Sequence, residues 1–290
     1  MPNLSRQWRL LINLSLLLVT GLNVFAYTSY VYEAERLLEV KFLDVGQGDS
    51  FLVRTPDKVT MLVDSGRDSS VISRLKEQLR LGENVDILLS THPDGDHVTG
   101  FAEVIKQYNP SKVIYNHINH PSAGYTAFLE AIRARSVPTM AVIAGDSFNI
   151  GCCVRITFLW PGDPPEADVN ETNPYSIAIF LEYAEFSMYA GADLPIKEEE
   201  LTLKALGGKR VDILKVGHHG SKTSTSLQFL QKLQPALGVI QLGKANTYGH
   251  PHAEVLSNLS ATGTRVLRND LHGTISFYTN GHGYKLITSR

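Results

Sequence analysis

Beyond Leu38 the chain alternates between short apolar runs and segments whose apolar residues recur at helical spacing. Apolar, β-branched runs between turn residues predict strands, and apolar residues three to four positions apart predict helices. The predicted strands cover residues 40–45, 50–54, 60–63, 85–89, 112–115, 139–143, 154–159, 176–183, 186–189, 211–215, 237–242, 265–267 and 274–278. The predicted helices cover residues 69–81, 101–108, 125–135, 196–206, 227–233 and 253–260. Two halves of this kind, each with strands leading into histidine-rich loops, fit one α/β sandwich with helices outside two sheets.

The N-terminal segment has a different pattern. Arg6 and Arg9 precede an uncharged run over 10–32, and the first acidic residue is Glu33. A basic flank before an apolar run of this length favours membrane insertion with the N-terminus in the cytoplasm and the remainder exported. Residues 24–26 (Val-Phe-Ala) also match a signal-peptidase site, so anchor and cleaved signal both stay open.

We therefore divide the chain into a membrane anchor or signal segment, 1–37, and one folded domain, 38–290. Retention of the segment predicts a single-pass protein of the cytoplasmic membrane with the domain outside the cytoplasm, whereas cleavage predicts a secreted protein. No oligomer interface is evident from the sequence.

Charge limits how the protein can bind anionic partners. A net charge of −2 and a pI near 6.6 exclude a strongly basic nucleic-acid-binding surface, so contacts with phosphate must be local. A small cation cluster is expected from Lys215, Lys222, Lys244, Arg265 and Arg268. The two cysteines, Cys152 and Cys153, are adjacent, and we expect them to enter a strand as small apolar residues.

Four metal-binding side chains follow the buried strand predicted over 85–89. They are His92, Asp94, Asp96 and His97. A strand end holds the following loop rigidly, and its proline and glycine allow successive side chains to converge. Imidazole suits zinc, manganese or iron, and the added carboxylates shift the preference toward harder ions.

These residues resemble the H-x-[HD]-x-D-H signature of the metallo-β-lactamase superfamily. From about Leu38 the chain is similar, more narrowly, to the C-terminal hydrolase domain of ComEC-type DNA-uptake competence proteins. The shared motifs are FLDVGQGDS over 42–50, LVDSG over 62–66, NPYS over 173–176, GAD over 191–193, KVGHHGSKTSTS over 215–226 and NTYGHPH over 246–252. The resemblance implies an α/β metallo-β-lactamase αββα sandwich, here preceded by an N-terminal hydrophobic helix, and a binuclear hydrolase with two divalent ions, Mn²⁺ or Zn²⁺.

The resemblance also implies a set of metal ligands: His92, Asp94, Asp96, His97, Asp193 and His218. The first two would hold one ion, the next two the other, and Asp193 would bridge both. His218 is favoured over its neighbour His219, which stays open as the alternative. Asp64 and Asp49 are expected to support the ligands from behind.

Two departures from the superfamily pattern affect the metal. Asp94 stands where many members have histidine, and no histidine accompanies Asn173, where another ligand often falls. The competence branch shares both features, which favour a harder or weaker metal at one position.

Catalytic and substrate-binding residues are expected on the loops around the metals. Asp96 would orient the attacking hydroxide, and the residues expected to assist at the substrate or leaving oxygen are His219, Lys222, His250 and His252. Ser221, Lys222 and Thr223 precede a helix start, where backbone N–H groups bind anions. Asn246 and Tyr248, by position in the NTYGHPH motif, complete the expected substrate-binding set.

The function implied is a metal-dependent phosphodiesterase or nuclease acting on DNA, expected to be single-stranded, outside the cytoplasmic membrane, by attack of a metal-activated hydroxide on phosphorus. One alternative keeps the site and changes the substrate to a small phosphoester or to phosphorylcholine on cell-wall polymers. A second alternative is a non-catalytic, membrane-tethered module that binds DNA or a partner in the competence machinery. With at most one spanning segment, the chain is not itself a DNA channel.

Overall fold

The structure, a computed structural model, describes residues 6–34, 37–163, 169 and 171–290. Residues 1–5 and 35–36 of the predicted N-terminal segment lie outside the described residues. The described strands are β1 Leu38–Phe42, β2 Phe51–Arg54, β3 Thr60–Val63, β4 Ile87–Leu89, β5 Lys112–Ile114, β6 Thr139–Met140, β7 Ser147–Ile150, β8 Val154–Trp160, β9 Ala178–Tyr183, β10 Phe186–Ala190, β11 Ile213–Lys215, β12 Leu237–Ile240, β13 Arg265–Arg268, β14 Ile275–Thr279 and β15 Tyr284–Thr288. The described helices are α1 Arg6–Ala34, α2 Ser70–Gln78, α3 Gly95–Val98, α4 Phe101–Tyr108, α5 Ala123–Arg135, α6 Ile196–Leu206, α7 Leu227–Leu233, α8 Ala253–Ala261 and α9 Asn269–His272.

The strands form two sheets that each combine an antiparallel and a parallel part. One sheet has the order β15-β14-β1-β2-β3-β4-β5-β6, and the other has the order β13-β12-β11-β10-β9-β8-β7. Pairing is parallel from β3 to β6 and from β10 to β13, and antiparallel elsewhere. The parallel strands therefore bring their carboxyl ends, and the loops that follow, to common edges of the two sheets.

Apolar side chains form three layers that fix the order of sheets and helices. The inner layer lies between the sheets and includes Val40 and Phe277 from one and Ile179 and Met188 from the other. A second layer packs α2, α4 and α5 on the outer face of the first sheet, and a third packs α6, α7 and α8 on the second sheet. The αββα sandwich expected from the sequence is confirmed.

Several local predictions were wrong. The helix predicted over 69–81 ends at Gln78, because Leu79 is extended and the backbone N–H of Arg80 donates to Glu83. The strand predicted over 139–143 is limited to β6, and the edge strands β7 and β15 were missed. Cys152 and Cys153 lie in an exposed turn before β8, where Gly151 has a φ of 55°, and they form a disulfide with each other.

The N-terminal helix is α1, and its side chains from residue 11 to residue 25 are exposed. Among the helices of the described residues, none has both the length and the apolar character that a membrane span requires. The anchor or signal function of this segment stays a prediction.

Candidate metal centre

The candidate centre lies where loops follow the carboxyl ends of four parallel strands. Asp64 follows β3, the loop over 92–97 follows β4, Asp193 follows β10, and the paired histidines follow β11. Asp64, Ala192 and both histidines of the pair have a left-handed backbone. Such residues are held in place only by well-ordered surroundings, and they concentrate at functional sites.

Three buried imidazoles point the same nitrogen into the centre. His97 Nδ1 donates to Asp64 Oδ2 at 2.8 Å, and His219 Nδ1 donates to the backbone oxygen of Gln241 at 2.9 Å. His92 Nδ1 lies 3.0 Å from the Thr91 hydroxyl, which itself donates to Asp64 at 2.7 Å. Because each Nδ1 is engaged in a hydrogen bond, each Nε2 is left to face the centre, where it can bind an ion once it has released its proton.

These Nε2 atoms face carboxylates across the site. Asp193 Oδ2 lies 3.3 Å from His97 Nε2 and 3.5 Å from His219 Nε2, and Asp96 Oδ2 lies 3.3 Å from His219 Nε2. Within the described part of the chain, the Nε2 atoms of His92, His97 and His219 have no hydrogen-bond partner. Buried polar atoms without partners are costly, so this set fits a divalent ion that would bind those nitrogen atoms.

Groups able to hold an ion are His92–His97–Asp193 and Asp96–His97–His219, whose ligand atoms lie within 4.8 Å of one another. His219 is fully buried, whereas the side chain of His218 is 27% exposed and its Nδ1 bonds to the Thr223 hydroxyl at 3.0 Å. His218 Nε2 still lies 3.5 Å from Asp193 Oδ2. The geometry therefore favours His219 over His218 as the histidine that would hold the second ion together with Asp96 and His97.

Asp94 lies toward the outside of the cluster. Its side chain is 35% exposed, its Oδ2 lies 3.8 Å from His92 Nε2, and its Oδ1 accepts a hydrogen bond from the Thr172 hydroxyl. Thr172 therefore fixes the carboxylate that replaces the usual histidine. Thr172 and Thr91, each one residue before a recognised motif, were not predicted as site residues.

The charged groups of the centre shift one another's pKa values. Burial alone would lower the pKa of His97, but Asp193 and Asp64 hold it well above its ordinary value. Burial also tends to lower the pKa of His219, but Asp193 and Asp49 outweigh this effect and raise that pKa to about 10. The pKa of Asp193 is held well below its usual range, against burial, by His97 and His219. The carboxylates thus favour positive charge on these rings, and a divalent ion bound there would take the place of their Nε2 protons.

Lys215 is part of this centre, and its assignment to a surface cation cluster was wrong. Its side chain is 1% exposed, and its ammonium pairs with Asp49 Oδ2 and lies 3.9 Å from Asp193 Oδ1. Asp49 also lies 3.2 Å from His219 Nδ1, so it supports the ligands from behind. A lysine inside the apolar run over 211–216 was the available signal, since a buried lysine needs an anionic partner. Of the other cations named, Arg268 pairs with Asp270.

The segment over 221–223 contacts His218 through the Thr223 hydroxyl and His252 through its backbone. The Thr223 hydroxyl donates to Ser221 Oγ at 3.0 Å, and the backbone N–H of Lys222 donates to His252 Nδ1 at 3.1 Å. Helix α7 begins later, at Leu227, with Ser226 as its cap, so residues 221–223 do not form its first turn. The side chain of Lys222 is left exposed beside the site.

The loop over 243–252 lies against the paired histidines. The His250 ring is 5.8 Å from that of His218 and 6.5 Å from that of His219. Burial and these neighbouring imidazoles lower the pKa of His250 to about 4. Asn246 uses both ends of its amide on the loop backbone, bonding to the oxygen and the N–H of His250 at 3.0 Å. Asn246 therefore braces the loop, and Tyr248 projects from it.

Comparisons with known proteins agree with this geometry. Residues 43–173 match the metallo-beta-lactamase superfamily. The chain is 34% identical over 267 residues to ComE operon protein 3 of Bacillus subtilis (strain 168), covering 84% of this chain and 34% of that protein. It is 30% identical over 270 residues to Competence protein ComA of Neisseria gonorrhoeae, covering 89% of this chain and 35% of that protein. The chain thus spans about a third of the length of these curated relatives.

The fold is also similar to that of a solved structure, the metallo-beta-lactamase fold protein YhfI from Bacillus subtilis. The TM-score is 0.53 at 14% identity, with 84% of this chain and 100% of that chain covered. At this identity the likeness shows the fold alone. The matched residues and this likeness therefore show a metallo-β-lactamase fold, and over most of its length the chain is similar to competence proteins of the ComEC type.

Proposed function

We propose that the chain is a metal-dependent phosphodiesterase that cleaves DNA, with single strands as the expected substrate. The proposal rests on the buried Nε2 atoms of three histidines, which face the carboxylates of Asp96 and Asp193. The histidines are His92, His97 and His219. Two groups that each combine two imidazoles with one carboxylate, and that have His97 in common, suit divalent ions such as Mn²⁺ or Zn²⁺. Bound there, such ions would activate water and neutralise charge on a phosphoryl group.

The protein's own residues would orient the reactants. The Asp96 carboxylate is 29% exposed and reaches both His219 and solvent, so it can accept a hydrogen bond from the attacking water. His252 Nδ1 accepts from the Lys222 backbone, which leaves Nε2–H free to donate to the leaving oxygen. The exposed Lys222 ammonium would bind a neighbouring phosphate.

DNA is proposed as substrate because the curated relatives are competence proteins. We also propose that the domain works outside the cytoplasm, on the strength of the basic flank before the apolar run. Protease added to intact cells should then degrade the domain, and full protection would contradict this location.

The nuclease proposal is tested on the full chain, chelated and then given Mn²⁺, Zn²⁺ or Mg²⁺, with labelled single- and double-stranded DNA. We expect metal-dependent cleavage that falls at least about 100-fold in Asp96→Asn and persists in Asp68→Asn, a matched change at an exposed position. Cleavage that survives chelation would contradict the proposal.

A small diester, bis-p-nitrophenyl phosphate, separates the alternatives. Its hydrolysis without DNA cleavage would favour a small-molecule or cell-wall phosphodiesterase. Inactivity on both substrates, with metal bound, would favour a non-catalytic binding module.

A further inference from the structure

A row of nearly parallel rings runs from the buried centre to the surface. His219 and His250 have ring centroids 6.5 Å apart at 26°, and His250 and Tyr248 have centroids 5.8 Å apart at 25°. His219 is buried, His250 is half-buried, and Tyr248 is 61% exposed. An exposed tyrosine thus stands at the outer end of a row that begins at the candidate metal ligands.

The loop that carries this tyrosine is held in one shape. Asn246 bonds to the backbone oxygen and N–H of His250, and its own N–H donates to the oxygen of Gly243 at 3.2 Å. The N–H of His252 donates to Gly220, which ties the loop to the histidine-bearing segment. A ring on such a loop pays little ordering entropy when a flat ligand binds against it.

We propose that Tyr248 is a platform on which an unpaired nucleobase stacks, next to the phosphodiester held at the metal centre. This inference rests on the proposed function and specifies its substrate class as single-stranded DNA. Lys222, in the segment over 221–223, and Lys244, in the loop over 243–252, are both exposed and supply positive charge for the adjoining phosphates. In a duplex the base faces are already covered by neighbouring bases, so the platform favours an unpaired strand.

The test compares two single-stranded oligonucleotides of equal length, one of them with abasic residues at its centre. Both carry slowly cleaved phosphorothioate linkages, so that binding to the metal-loaded full chain can be measured by fluorescence anisotropy. Because stacking of a base on an aromatic side chain stabilises a complex, we expect about tenfold tighter binding of the strand with bases.

Tyr248→Ala should bring this preference close to one, and Tyr248→Phe should keep it. Leu271→Ala, which removes a side chain 58% exposed on α9, is the control and should also keep it. Equal affinity of the wild type for both strands, or a preference that survives in Tyr248→Ala, would overturn the platform. Tyr248-dependent binding without cleavage of ordinary DNA would support the platform and overturn the nuclease proposal.

Discussion

Glu199 is a buried carboxyl group that supports the segment carrying the paired histidines. It lies on α6 with no exposed surface, and its Oε2 accepts a hydrogen bond from the backbone N–H of Thr225. Its Oε1 lies 3.4 Å from the Thr225 hydroxyl. Burial raises its pKa from 4.5 to about 8, against the opposing effect of the Thr225 hydrogen bonds and of Lys215. Glu199 is therefore mainly protonated in the native state at neutral pH.

The sign of the pH effect follows from the raised pKa. Between pH 4.5 and about 8 the native state holds this proton while the unfolded chain releases it. The stabilisation is therefore complete below pH 4.5 and is lost as pH rises through about 8. At about 1.4 kcal/mol for each pH unit of that difference, integration gives a loss of about 3 to 4 kcal/mol between pH 5 and pH 8.

Glu199→Gln should remove this dependence while keeping the hydrogen bond from Thr225. Urea unfolding of wild type and variant from pH 5 to pH 8 measures it, since the difference between their unfolding free energies cancels other titrating groups. That difference should change by about 3 to 4 kcal/mol in favour of the variant. Glu130→Gln, at an exposed position on α5, is the control. Parallel curves for wild type and Glu199→Gln would refute the reasoning.

Three further predictions concern the centre and its frame. Asp64→Asn should weaken divalent-ion binding about 10- to 100-fold, because the amide orients His97 less well; unchanged calorimetric affinity would contradict this. Gly48→Ala should lower the free energy of unfolding, measured in urea, by about 3 kcal/mol, because its φ is 116° and its Cβ would overlap the backbone oxygen of Asp96. Gly46→Ala has open space at a φ of 79° and should lower it by only about 1 kcal/mol. A divalent ion at a free concentration of 100 Kd should stabilise the native state by about 2.7 kcal/mol. Chelating the ion should therefore lower the thermal midpoint of unfolding, and an unchanged midpoint would exclude a structural contribution of the ion.

The fold could be predicted where local pattern and burial agree. The bounds predicted for α4, α6, α7 and β3 are those of the structure, because their apolar residues follow one clear period. The edge strands β7 and β15 escaped prediction because they have few buried side chains and therefore lack a clear apolar pattern; each is defined by its pairing in a hairpin, with β8 and β14 respectively. The end of α2 was not predicted because it depends on a side chain beyond the helix: Glu83 accepts a hydrogen bond from the backbone N–H of Arg80.

The centre could be predicted as a set of residue types but not as a geometry. The sequence singled out the loop over 92–97, Asp193 and the paired histidines, and the structure brings them together. It could not separate His218 from His219, because the left-handed backbone of both residues decides which ring is buried. Nor could it show that Asn246 bonds its own loop, since such contacts depend on a turn that closes only in the folded chain.

Lys215 shows why the centre has a closed inner side and an open outer side. Asp49, Asp193 and His219 have the geometry of an ion site, yet the Lys215 ammonium already pairs with Asp49 there. Lys215→Met should therefore free the inner carboxylate and let the chain bind an additional divalent ion, counted by mass spectrometry at saturating metal. Combining Lys215→Met with Asp49→Asn should restore the wild-type metal content, because both charges are then removed together. Equal metal content in wild type and Lys215→Met would mean that geometry, and not the lysine charge, keeps ions from the inner side.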